Sequence, residues 1–230
     1  MEIRILHLKE GAAMAEGTAV IIDVFRAFSL ETWLYEWGAE MIYPAADLVL
    51  AYRLKQEHPD YVLIGERHGK ILPGFDFGNS PSTVNPEKIR GKTVVHTTSA
   101  GTQGVSLASG ADEILSGSLL NASAIARYLK QKNPDIVSLV CMGWEGQKDT
   151  EEDVLCAEYI RSILEGHPLE DIAEQAENLK YTEGKKFFDP SQQDVFPQGD
   201  FAMCIAHDRF DFVIRMEADG DLVRTEKVLI

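Results

Sequence analysis

Four short segments group carboxylates, guanidinium groups, hydroxyls and free backbone amides that could bind a cation or an oxyanion. The richest is Ile64-Gly-Glu-Arg-His-Gly69, followed by Gly74-Phe-Asp-Phe-Gly-Asn-Ser-Pro81. Together they set two carboxylates and a guanidinium among glycines and a proline, too broken for a regular element. Ordering such a stretch costs conformational entropy, which a ligand-binding loop explains better than a surface turn does. The second segment is Ile22-Asp-Val-Phe-Arg26. An ionisable side chain at the end of an apolar run is expensive without a partner. Asp23 could meet that demand by coordinating a cation or by pairing with Arg26. The third segment is His96-Thr-Thr-Ser-Ala-Gly-Thr102. Its hydroxyls, glycine and free amides could cradle a phosphate at a helix start, or could simply cap that helix. The fourth is Gly143-Trp-Glu-Gly146 with Glu151-Glu-Asp153 behind it. Glu151 suits the helix dipole, whereas Glu152 and Asp153 are aimed at the same sheet edge as the other segments.

The frame that must position these segments is read from hydrophobic periodicity. Thr18 to Val24, Tyr61 to Ile64, Lys92 to Thr97 and Ile136 to Met142 are near-continuous apolar runs, as expected of strands covered on both faces. Met1 to Leu8 alternates like a strand, and Met41–Tyr43 and Glu113–Leu115 are shorter strand candidates. Between them, helical spacing predicts helices over 27–37, 47–58, 99–107, 122–131, 150–164 and from Pro168 to about Leu179, with Asn121 as a cap for the fourth. Strand–helix alternation implies a three-layer α/β/α architecture with a mixed, largely parallel sheet. Phe212–Met216 and Leu222–Val228 flank Ala218-Asp-Gly-Asp221, which predicts a C-terminal β-hairpin. Residues 181–199 follow no period and read as a lid or unrecognised structure, and 200–207 as a short helix. One domain spanning 1–230 is expected, with two small lobes as the alternative.

Composition narrows the function. Acidic residues outnumber basic ones 37 to 22, for a formal charge of -15, and no basic stripe suited to nucleic acid is present. No apolar run reaches the roughly 20 residues of a membrane span. The N-terminus lacks a signal peptide's apolar centre, so a cytoplasmic protein is expected. The three cysteines, Cys141, Cys156 and Cys204, sit apart in apolar segments and read as reduced, buried thiols. His96 reads as a core residue, and His68 as a loop residue able to touch ligand or solvent. Known nucleotide and phosphatase signatures are missing. The Thr-rich turn has no Walker A spacing and the first apolar strand no GxGxxG. Phe25 stands where a DxD nucleophile motif would need its second aspartate, and Cys141 opens no C-x₅-R loop.

Taken together, Val20-Ile-Ile-Asp-Val-Phe-Arg-Ala27, Gly65-Glu-Arg67, Gly74 to Pro81, Thr97 to Thr102, Asn121-Ala-Ser123 and Glu152 to Ala157 resemble the 2-phosphosulfolactate phosphatase family. In the Thr-rich turn this chain carries Ala100-Gly-Thr102 where such proteins usually show Asn-Gly-Thr. The resemblance implies a magnesium-dependent hydrolase converting 2-phospho-3-sulfolactate to 3-sulfolactate and phosphate, a step in coenzyme M biosynthesis. Under that chemistry Asp23, Glu66 and Asp76 are expected to ligate Mg²⁺, with Glu152 or Asp153 as a further ligand or base. The catalytic set would be Asp23, Glu66, Arg67 and Asp153. Arg26 and Arg67 are candidates for gripping phosphate, carboxylate or sulfonate groups. Thr97, Thr98, Ser99, Gly101 and Thr102 would add amides and hydroxyls, and Asn79 and Ser80 would orient ligand or water. A phosphatase for another small phosphorylated acid and a noncatalytic anionic-metabolite binder are the alternative readings. The expected partner is a small anionic substrate, with a homo-oligomer as a general prior.

Overall fold

A computed structural model describes every residue from Met1 to Ile230. In chain order the regular elements are β1 (Glu2–His7), α1 (Leu8–Ala13), β2 (Thr18–Ile22), α2 (Ala27–Glu36), β3 (Met41–Pro44), α3 (Leu48–Glu57), β4 (Val62–Arg67) and β5 (Lys70–Ile71). They continue with β6 (Thr93–Thr97), α4 (Gly101–Leu107), β7 (Glu113–Gly117), α5 (Ala122–Lys132), β8 (Ile136–Cys141), α6 (Glu151–Glu165) and α7 (Ile172–Asn178). The chain closes with α8 (Gln198–Ile205), β9 (Phe212–Asp219) and β10 (Leu222–Leu229).

The strands form two sheets. The larger runs β1-β8-β2-β7-β9-β10 and the smaller β3-β6-β4-β5. β1, β8, β2 and β7 are mutually parallel, while β9 and β10 make the expected antiparallel hairpin at one side. The smaller sheet is parallel apart from β5. The two sheets meet where the Thr225 hydroxyl on β10 donates to the Ile42 carbonyl on β3 at 3.2 Å. The architecture is therefore α/β, as the alternation predicts.

Side-chain alternation along β2 explains the layering. Val20 and Ile22 enter a core shared with α5 and α6, whereas Ala19 and Ile21 enter a second core with Ala12, Val105 and Ala108 on or beside α1 and α4. β8 does the same with Leu139 and Cys141 on one face and Val140 and Met142 on the other. A strand buried on both faces must be apolar throughout, which is why these runs show no alternation in sequence. All three cysteines are free and buried, and burial pushes their thiols well up.

Two local expectations change. Asn121 holds the N-cap position of α5 without a side-chain cap bond; its Oδ1 instead accepts from the Ser118 amide and hydroxyl, closing a 3-10 turn over 119–121. The irregular 181–199 stretch is built from short 3-10 turns over Leu179–Tyr181, Glu183–Phe188 and Pro190–Gln192. Its Phe187 and Phe196 belong to the main core. Aromatic burial, with no repeating period, fixes this segment.

Candidate active site

The ends of β2, β4, β6 and β8 converge on one cleft, lined among others by Asp23, Arg26, Glu66, Asn79, Ser99, Trp144, Glu145 and Phe196. This is the carboxyl-end crevice that parallel sheets offer to ligands. Three buried carboxylates stitch its floor together, each accepting two backbone N–H groups. Asp23 takes those of Ala27 (3.2 Å) and Gly101 (2.9 Å). Glu66 takes those of Gly69 (2.6 Å) and Ser99 (2.8 Å). Asp153 takes those of Val24 and Gly143, both at 2.8 Å. The donors are amides freed where strands end and helices begin. Gly101 must be glycine because a Cβ there would come 2.9 Å from Asp23 Oδ2 and 3.0 Å from the Phe28 ring.

Burial acts against these charges. Desolvation pushes the Asp23 carboxyl up to about 6; the Glu66 charge adds to the rise, and the amides and His96 oppose it. Glu152 is pushed up to about 7 by burial, against the pull of Lys186, and its Oε2 has no hydrogen-bond partner. Asp153 also rises well above the ordinary range, chiefly through burial and then through Glu152 and Asp23.

The remaining candidates separate into distinct roles. Asn79 accepts at Oδ1 from His96 Nε2 (3.1 Å), and His96 Nδ1 meets Glu31 at 2.8 Å in a fully buried relay. His96 is thus the core residue its strand position suggests. Ser99 lines the cleft, and its buried hydroxyl has no partner. Thr98 and Thr102 cap one another, Thr98 Oγ1 accepting from the Thr102 amide and Thr102 Oγ1 from the Thr98 amide, both at 3.1 Å. Arg67 donates to the Glu66 carbonyl (2.7 Å) and to Thr97 Oγ1 (3.1 Å).

Several sequence expectations need correction on position. Asp76 stands apart from the cleft: it accepts from the Leu63 amide at 2.8 Å, faces Lys55 at 3.4 Å, and is 43% exposed. Arg26 does not pair with Asp23. Its guanidinium is spent on Asp200 (2.7 Å), the Val195 carbonyl (2.8 Å) and the Gly69 carbonyl (3.3 Å), over the Phe196 ring. Ser80 faces the same buried Asp200 at 2.8 Å and not the cleft. Asp153 and Glu152 lie behind the lining. The amides of Thr98, Ser99, Gly101 and Thr102, expected to be free for phosphate, are already held by protein oxygens.

Sequence reasoning missed Asp200, Lys186, Phe25 and Phe196. Lys186 and Phe196 lie in the irregular 181–199 stretch, Asp200 just after it on α8, and Phe25 beside Arg26 after β2. Glu145, within a segment singled out for its position, lines the cleft and meets His68 Nδ1 at 2.5 Å.

No histidine, cysteine, aspartate and glutamate trio forms a ready-made metal cage. Asp23 and Glu66 nevertheless fit a hard divalent ion that keeps most of its water, because each oxygen retains a second lone pair beside its amide bond. Burial, and after it the Glu66 charge, raises the Asp23 pKa, and a bound cation would offset that cost.

Comparison with known proteins gives the same direction. A family model described as 2-phosphosulpholactate phosphatase matches residues 5–219. A probable 2-phosphosulfolactate phosphatase of Bacillus subtilis (strain 168) is 31% identical over 214 residues, covering 92% of each chain. One of Caldicellulosiruptor saccharolyticus is 40% identical over 164 residues, covering 69% of this chain and 67% of the relative. A third, of Caldanaerobacter subterraneus subsp. tengcongensis, is 31% identical over 233 residues, with 93% and 92% covered. With its floor of amide-held carboxylates and a match across nearly its whole length, the chain belongs to the 2-phosphosulfolactate phosphatase family.

Proposed function

We propose that the chain is a magnesium-dependent phosphoric monoester hydrolase that converts 2-phospho-3-sulfolactate to 3-sulfolactate and phosphate, within coenzyme M biosynthesis. One observation carries the reading beyond family membership. Asp23 and Glu66, from strand ends of different sheets, both line a cleft that also presents an unpartnered buried serine hydroxyl.

The division of labour follows from the contacts. Asp23 and Glu66 would hold the ion, which when bound would offset charge developing on the phosphoryl oxygens. The Ser99 hydroxyl donates to a phosphoryl oxygen. The Asn79 amide group adds a second donor, oriented because His96 already occupies Oδ1. Arg26 acts at one remove by anchoring Phe196 and Gly69 along the cleft wall. Asp153 fixes the spacing of the β2 and β8 ends without touching substrate. Phosphate monoester hydrolysis is among the slowest uncatalysed reactions, so fixed donors in a desolvated cleft are where most of the acceleration must arise.

The test is phosphate release from synthetic 2-phospho-3-sulfolactate and a panel of other phosphorylated 2-hydroxy acids, with Mg²⁺ or with EDTA. The expected result is metal-dependent turnover with the sulfonated substrate preferred. Tight binding without release would instead support a noncatalytic binder.

A further inference from the structure

We infer that Lys186 determines substrate specificity in this cleft: its ammonium, held among the rings of the cleft's aromatic wall, meets the substrate's second acidic group. The inference rests on the phosphatase reading above and adds the residue that recognises the carboxylate or sulfonate.

The cleft is short of cations. Asp23, Glu66 and Glu145 line the cleft, and Arg26 is the one basic residue among its lining. Arg26 is neutralised by Asp200 in a pair buried on both sides, and Arg67, which is not part of the lining, donates to the Glu66 carbonyl and to Thr97 Oγ1. A substrate bearing phosphate, carboxylate and sulfonate would enter a cleft whose own charge opposes it. A divalent ion between Asp23 and Glu66 addresses the phosphoryl end only.

Lys186 packs against the aromatic residues of that lining and forms no salt bridge. It extends from the 3-10 turn over 183–188, and its Nζ lies 4.8 Å from the Trp144 ring centre, 5.5 Å from Phe196 and 5.6 Å from both Phe25 and Phe187. Three of those rings, Phe25, Trp144 and Phe196, line the cleft. The attraction of Glu152 and Glu183 and the repulsion of Arg26 reach it only across space, and burial draws its pKa down. Glu183 is itself engaged by Lys148 at 3.4 Å. Aromatic faces hold an ammonium without saturating its donors, so the three N–H groups of Lys186 stay available to an incoming oxyanion.

Steady-state kinetics on the full chain with Lys186→Met and Lys186→Arg test this, using 2-phospho-3-sulfolactate and isopropyl phosphate, which has no second acidic group. Losing a hydrogen bond to a charged group costs roughly 10- to 100-fold. Lys186→Met should therefore raise KM for 2-phospho-3-sulfolactate by about that factor and lower its preference over isopropyl phosphate at least about tenfold. Lys186→Arg should recover most of the preference. Equal losses on both substrates, or a fall in kcat alone, would overturn the proposal and leave Lys186 as a counter-charge for Glu152. Calorimetric binding of 3-sulfolactate separates this question from turnover. If the wild-type chain binds it and Lys186→Met binds at least about tenfold more weakly, Lys186 stands even where no phosphate is released. Equal affinities would refute it.

Discussion

Asp23 and Glu66 bind amides two residues apart in the same turn: Glu66 Oε1 accepts from Ser99 at 2.8 Å, and Asp23 Oδ2 from Gly101 at 2.9 Å. The turn after β6 thereby registers the two sheets against each other at the cleft. Glu66→Gln keeps one acceptor oxygen and replaces the other with a donor facing an amide. It should cost about 1–3 kcal/mol of stability and, by removing a proposed ion ligand, lower kcat at least about 100-fold. Thermal unfolding and phosphate-release assays on the same preparation check both parts.

Ser99 offers a cleaner separation of chemistry from folding. Its hydroxyl satisfies nothing in the protein, so Ser99→Ala removes no existing bond. The melting temperature should stay within about 2 °C, equivalent to about 0.5–1 kcal/mol, while kcat falls roughly 100-fold, as for loss of one transition-state donor. A normal kcat would remove Ser99 from the site.

The Arg26–Asp200 pair ties the 181–199 segment to the end of β2. Asp200 also accepts from the Ser82 amide (3.0 Å) and faces the Ser80 hydroxyl. Removing one partner of a buried pair costs about 3–5 kcal/mol because the other charge is stranded. Asp200→Ala should lose about that much in denaturant unfolding and open residues 181–199 to limited proteolysis. Lysine at Arg26 should be a poor substitute, since a single ammonium cannot serve three divergent acceptors.

Stability should vary with pH through Glu152. Its carboxyl titrates near 7 in the fold against an ordinary 4.5. Below 4.5 both folded and unfolded states are protonated. Between 4.5 and 7 the unfolded chain loses its proton first, so stability falls as pH rises and levels off above 7. Asp23, raised from 3.8 to about 6, acts in the same direction. The metal-free protein should therefore lose on the order of 2 kcal/mol between pH 5 and 7.5. In Glu152→Gln that slope should be shallower and the protein more stable than wild type at pH 7.5. Melting curves across the pH series give the comparison.

The strands that carry the site were legible because parallel strands buried on both faces must be apolar, and their ends must break into glycine and polar residues. That logic singled out the segments carrying Asp23, Glu66, Asn79 and Ser99, which the structure brings to one cleft. It could not say which oxygens the backbone would claim. The turn of Thr97 to Thr102 looked like a phosphate cradle because its amides are orphans of the helix start, yet Asp23 and Glu66 already fill that role. Asp76 carried the right chemistry at the wrong place: it follows β5 and folds back to pin the Leu63 amide on β4. The pairing of Arg26 with Asp200 spans 174 positions, and no local pattern records a contact of that range.

Whether Asp23 and Glu66 share one divalent ion is decided by a Mn²⁺ titration followed by electron paramagnetic resonance, with Mg²⁺ as competitor. Wild type and Asp76→Asn should each bind one Mn²⁺ that Mg²⁺ displaces, with Asp23→Asn and Glu66→Gln binding at least about tenfold more weakly, a loss of 1.4 kcal/mol or more. Unchanged binding in the Asp23 and Glu66 variants, or loss confined to Asp76→Asn, would contradict the shared site.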